Sequence, residues 1–180
     1  MTVLVDEALW PWRGARWAHL VSDESVDELH AFARRLQLRR MAFQGDHYDV
    51  AEDQRQQALI LGAEGVRGRD LVRRLRAAGL RLSAADRPGA WEEVGRWSSP
   101  GIRPALTGMT MFEPLVGALA QVDACWQTAE VVAFRRTTEM ALVVHDVGDV
   151  VIERMVPVGI EVWCHDDRLV ELLTPFLETT

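Results

Sequence analysis

The pattern of apolar and polar positions divides the chain into a helix-rich first part and a strand-rich last part. Val3, Leu4 and Val5 form a short β-branched run that ends at Asp6, the signature of a buried first strand. Residues 7–22 carry Trp10, Trp12 and Trp17 among the turn formers Pro11 and Gly14, and are expected to be irregular. Ser25 and Glu28 make a capping box. Val26, Leu29, Phe32, Ala33 and Leu36 then recur on one face, which predicts an amphipathic helix over residues 25–37. Met41, Ala42 and Phe43 read as a second short strand stopped by Gly45. Asp49 and Glu52 form another capping signature for a helix over residues 50–60 that Gly62 closes. A weak strand at 63–66 precedes a helix over 69–78, with Leu71, Val72, Leu75 and Ala78 inward and Gly79 as the stop.

This order of strands and helices predicts an α/β unit over residues 1–83, a small parallel sheet with helices in two or three layers. Pro88, Pro100, Pro104 and four glycines break the pattern over 84–110, which reads as a linker or crossover with one short helix near 91–97. Residues 111–180 are expected to form an α+β domain with an antiparallel sheet. Its helix over 112–121 has Pro114 in the first turn. Its strands fall at 131–135, 140–145, 150–154 and 160–164, with Gly148 and Asp149 as a hairpin turn. A last helix is expected over 169–177, shortened or kinked by Pro175.

Composition narrows the chemistry. No lysine occurs among the 20 basic residues, which excludes Schiff-base, phosphate-loop and general-base lysine chemistry. The presence of only two cysteines, Cys125 and Cys164, with no CxxC pairing, excludes a disulfide framework or a cysteine-rich zinc site. The start lacks a basic segment followed by an apolar one, and no apolar run nears the roughly 20 residues of a membrane span. The expected location is therefore cytoplasmic, with no membrane partner. Residues 1–81 balance 13 arginines against 12 acids, whereas residues 82–180 hold 7 against 15, so the second half is a poor nucleic-acid surface.

Three of the five histidines, His19, His30 and His47, lie in the first 47 residues, with Asp6, Asp23 and Asp46 among them and Asp49 just beyond. Imidazole and carboxylate together suit a divalent metal such as zinc, manganese or iron, although the spacing follows no HExxH or HxH pattern. Asp6, at the carboxyl end of a buried strand, is placed either to hold a cation or nucleophile or simply to start a turn. His47, Tyr48 and Asp49 are the densest polar cluster. His47 is positioned to move a proton, while Asp49 equally suits an ordinary N-cap. The site expected is thus Asp6, His47 and Asp49 as catalytic groups, helped by His19, His30 and Tyr48, with Asp6, His19 and His47 on the metal. The tryptophans read either as a stacking surface or as a plug completing the core. Arg73, Arg74 and Arg76 form the candidate anion-binding face, or a solvated helix face. In the second half Cys164 and His165 are adjacent on a strand and hence on opposite faces, which argues against a dyad.

Residues 2–80 also resemble the DUF4031 family of bacterial and phage proteins. The resemblance is carried by Val5 and Asp6, Trp10 and Trp12, Trp17, His19 and Leu20, Asp27 to His30, the run Gln44 to Asp49, and Ala58 to Gly62. It implies a recurring module but no activity. Two functional readings follow. One is a metal-assisted hydrolase or nuclease-like enzyme at the histidine–aspartate cluster, acting on a small phosphorylated molecule; nucleic acid as its substrate and a homo-oligomeric state are left open. The alternative is a non-catalytic binding or regulatory module that meets a protein partner through its antiparallel sheet.

Overall fold

A computed structural model describes residues 2–98, 101–106, 109–123, 126–145, 151–152, 156–165 and 168–175. The chain divides into two compact units, Met1–Arg87 and Pro88–Thr180. With a mixed sheet in the first and an antiparallel one in the second, the fold is α+β.

In the first unit β1 (Val3–Val5), β2 (Trp10–Trp12), β3 (Ala15–Ser22), β4 (Tyr48–Ala51) and β5 (Glu64–Gly65) make one five-stranded sheet. β3 pairs antiparallel with β1, β2 and β4, and only β1 with β5 is parallel. Parallel pairing, expected throughout this sheet, is thus confined to one pair. The Trp-rich segment accounts for the difference. It folds as a β2–β3 hairpin turned by Arg13 and Gly14, both with positive φ (49° and 78°), a backbone that twists with the strands. Trp10, Pro11 and Trp12 are all exposed, so Trp10 and Trp12 do not plug the core, while Trp17 is half-buried.

Helix α1 (Val26–Arg35) starts where its capping box predicts, with Ser25 Oγ accepting from the Glu28 N–H at 3.1 Å. The strand expected at residues 41–43 is a 3-10 turn, Arg40–Ala42, from which Phe43 makes one isolated bridge to Tyr48. The strand comes instead at β4, and it displaces the following helix, α2 (Glu52–Ile60), by two residues. Gln54 Oε1 accepts from the Ala51 N–H at 3.1 Å, so Asp49 is not the N-cap and its side chain is released for other use. Helix α3 (Gly68–Ala77) lays Leu71 and Leu75 on Leu4 and Val21. Helix α1 lies on the other face, with Phe32 beside Val3, because successive strand residues alternate sides.

In the second unit the sheet runs β11 (Glu161–His165), β12 (Leu169–Pro175), β9 (Glu139–His145), β8 (Glu130–Arg136), β6 (Glu92–Ser98), all antiparallel. β7 (Val122–Asp123) pairs with β10 (Val151–Ile152). Helix α4 (Glu113–Leu119), with Pro114 in its first turn, buries Leu115, Ala118 and Leu119 against Val131, Leu142, Val144 and Leu172. Two expected helices are strands. Residues 92–97 of the first stretch belong to edge strand β6, which carries a bulge between Glu93 and Gly95. Residues 169–175 belong to β12, hydrogen-bonded on both sides and buried on both faces, a context that overrides the helical preference of Leu and Glu. The Gly148–Asp149 turn lies outside the described residues, as do Cys125, Asp146, Asp166 and Asp167.

Candidate functional site

The polar cluster sits on the α3 face of the first sheet, just past the end of β1. Strand pairing places His19 directly opposite Asp49, so their side chains leave the sheet on the same side. The 44–47 loop, closed by the Gln44 N–H donating to the His47 carbonyl at 2.9 Å, delivers His47 beside them. The His19 and His47 rings meet edge to face with centroids 5.3 Å apart. One donor atom from each of His19, His47 and Asp49 lies within 4.8 Å of the other two.

Each histidine is held from behind by a carboxylate. Asp6, buried, accepts from the His19 backbone N–H at 2.7 Å through Oδ1 and contacts His19 Nδ1 at 2.9 Å through Oδ2. Asp46, with a fully buried side chain, contacts His47 Nδ1 at 2.5 Å. Its other oxygen accepts from Arg81 at 3.1 Å and from the Leu82 N–H at 3.0 Å. When a carboxylate accepts from Nδ1–H, the Nε2 lone pair is left facing outward. His47 Nε2 stands 3.5 Å from Asp49 Oδ1, an oxygen that is buried and makes no hydrogen bond.

Electrostatics follow from this packing. Burial works to raise the Asp46 pKa, but the bonds from His47 and the Leu82 N–H, with the charges of His47 and Arg81, hold it below the ordinary carboxylate value. Burial likewise works to lower the His47 pKa, and the bonds and charges of Asp46 and Asp49 overcome it and raise it above an ordinary imidazole. The carboxylates of Asp46 and Asp49 therefore favour the positively charged form of His47.

Asp6 stands behind His19, outside the group of three donors that His19, His47 and Asp49 form. His30 and Tyr48 are not in the cluster. Tyr48 neighbours Asp49 along β4 and faces the other way, fully buried, with its hydroxyl 2.9 Å from His30 Nδ1 and its ring against Phe43. Tyr48→Phe is expected to cost about 0.5–1.5 kcal/mol of stability, measured by urea unfolding, and to leave cation affinity within about twofold; a larger affinity loss would place Tyr48 in the site. Arg73 pairs with Asp70 at 3.3 Å, and Arg74 with Asp23 at 2.6 Å and Glu64 at 2.7 Å, whereas Arg76 lies in a separate cleft. The three arginines do not converge.

Sequence reasoning left out Asp46 and Trp10 as site residues. Asp46 carried a signal, since it adjoins His47 as a second carboxylate–histidine couple. Trp10 stacks on His19 with centroids 5.1 Å apart, a contact made only by hairpin pairing. In the second unit Cys164 is exposed and His165 buried, on opposite faces as expected, and His165 Nε2 stands 3.4 Å from the buried Glu171.

The first unit is thus a small mixed-sheet module with a histidine–aspartate cluster on one face. Residues 3–78, within the first unit, match the model of the DUF4031 family, described as a protein of unknown function. No curated protein and no solved structure matches the chain. Among the described residues no helix is long and apolar enough to cross a membrane.

Proposed function

We propose that the first unit is a metal-assisted hydrolase whose divalent cation is held by His19 Nε2, His47 Nε2 and Asp49. The observation that carries this reading is the unpartnered, buried Asp49 Oδ1, 3.5 Å from His47 Nε2. That distance is long for a hydrogen bond, and buried carboxylate oxygens without a donor are rare. Two ligands at about 2.0–2.1 Å from a tetrahedral ion stand about 3.4 Å apart. Two nitrogens and one oxygen suit zinc, manganese or iron.

The surrounding residues support the same role. Asp6 and Asp46 fix the histidine tautomers and ring directions before any ion arrives. The His19 side chain is 41% exposed, which leaves room for a substrate to approach. Trp10 walls one side of that approach. A cation held there supplies Lewis acidity to a carbonyl or phosphoryl oxygen and makes water more acidic.

The test is elemental mass spectrometry on protein purified without an affinity tag, followed by ester-hydrolysis assays. About one metal per wild-type chain is expected, lost in Asp49→Asn, with hydrolysis that chelation abolishes. No metal after reconstitution with zinc and manganese would overturn the metal centre. Stoichiometric metal without hydrolysis of carboxylic or phosphate esters would overturn the enzyme.

A further inference from the structure

Beyond α3 the chain turns at Gly79 and passes behind the histidine–aspartate pocket. Arg76, Arg81 and Arg87, with Gly79, Leu82 and Ser83, line a cleft of about 500 Å³ there. Among the described residues no carboxylate lines it. Asp86, close in sequence, accepts a hydrogen bond from Ser83 Oγ at 2.6 Å. A larger cleft, about 680 Å³, also holds arginines, but Glu7, Glu64 and Asp70 line it with them. Its Arg67, Arg73 and Arg74 already pair with carboxylates, whereas Arg76 makes no ion pair among the described residues.

Arg87 supplies an independent sign of a missing acceptor, because its Nε is buried and has no hydrogen-bond partner. A buried charged donor left without an acceptor is costly, and an anion in the cleft would satisfy it. Arg81 spends one nitrogen on Asp46 at 3.1 Å, and a guanidinium carries five N–H donors, so others remain. Guanidinium forks match the oxygens of phosphate in geometry and charge. Through Arg81 the cleft is joined to the pocket, since Asp46 bonds Arg81 on one oxygen and His47 on the other.

We propose that this cleft binds the phosphate of a small phosphomonoester and anchors it beside the histidine–aspartate centre; its role as a substrate subsite rests on the hydrolase reading above. Charge selects a small ligand over a nucleic acid. Residues 1–81 hold 13 arginines against 12 acids and the whole chain carries a net charge of -7, a balance that works against a long polyanion more than against a single phosphate.

Isothermal titration of the full chain with inorganic phosphate and with phenyl phosphate tests the cleft. Both are expected to bind wild type and to lose at least about tenfold in affinity in the Arg76→Gln/Arg87→Gln double variant. Arg76→Gln alone, at an exposed position, is expected to give a smaller loss in the same direction. Arg73→Gln, outside the cleft, should bind as wild type does. Equal affinity in wild type and the double variant would overturn the proposal, and so would an equal loss in Arg73→Gln. Tighter binding of a single-stranded oligonucleotide, lost in the double variant, would overturn the small-ligand assignment. Metal content measured on the same samples separates the two proposals. Cleft-dependent phosphate binding without metal would sink the hydrolase and leave the anion site, and metal without phosphate binding would do the reverse.

Discussion

Alanine at His47 is expected to remove divalent-cation binding, while asparagine at Asp46 or Asp6 weakens it about 10–100-fold without abolishing it. The asymmetry follows from position. His47 offers its Nε2 toward Asp49, so the alanine variant leaves two donors of the three. Asp46 and Asp6 touch the far nitrogens, at 2.5 and 2.9 Å, and act by setting tautomer and ring direction. An asparagine of the same size keeps an oxygen acceptor but loses the charge that favours a donating Nδ1–H. The measurement is a competition titration of zinc against a chromophoric chelator, with circular dichroism to confirm folding. An Asp6→Asn loss as complete as that of His47→Ala would make Asp6 a direct ligand, the place its sequence position first suggested. Retention of full affinity in His47→Ala would remove the proposed centre altogether.

Leu75→Ala is expected to destabilise the protein by about 3–5 kcal/mol, near the upper end for a buried leucine. Leu75 is 1% exposed and belongs to a cluster of four buried residues, with Leu4, Val21 and Leu71, that fastens α3 to the sheet. So small a cluster has few neighbours able to collapse into the space left behind. The loss should appear as a lower urea midpoint with an unchanged slope. Leu9→Ala, at a position 66% exposed, should stay within about 0.5 kcal/mol. Leu75→Ala also reaches the site, because the residues following α3 supply Arg81 and the Leu82 N–H to Asp46. Weaker cation binding in Leu75→Ala than in Leu9→Ala is therefore expected. A destabilisation below about 1 kcal/mol would mean that α3 is held by other contacts.

Much of the first unit was legible because its signals are local. A capping box and a 3.6-residue stripe specify α1, and Gly62 and Gly79, both at positive φ, end α2 and α3. The association of Asp6, His19, His47 and Asp49 was legible as composition, three histidines and several acids in one short stretch. Their roles were not. Asp49 fits an N-cap by sequence and becomes a pocket residue only because β4 runs two residues further and Gln54 does the capping. Tyr48 and Asp49 are neighbours in sequence and face opposite sides of the sheet once β4 forms.

Residues 169–175 show the opposite limit. Leu, Val and Glu in that order satisfy a helix locally, and only two flanking strands with cover on both faces make the segment β12.

By itself the sequence determined what short-range physics controls: where α1, α2 and α3 end, which chemistries lysine and cysteine usage exclude, and which residues could meet a cation. Tertiary structure alone decided which of them do meet. Hydrogen-bond pairing between strands sets His19 opposite Asp49 and Trp10 opposite Trp17, and packing of α3 brings Arg81 to Asp46 from 35 residues away. Such contacts depend on register and burial between distant segments, and these are set by the fold as a whole.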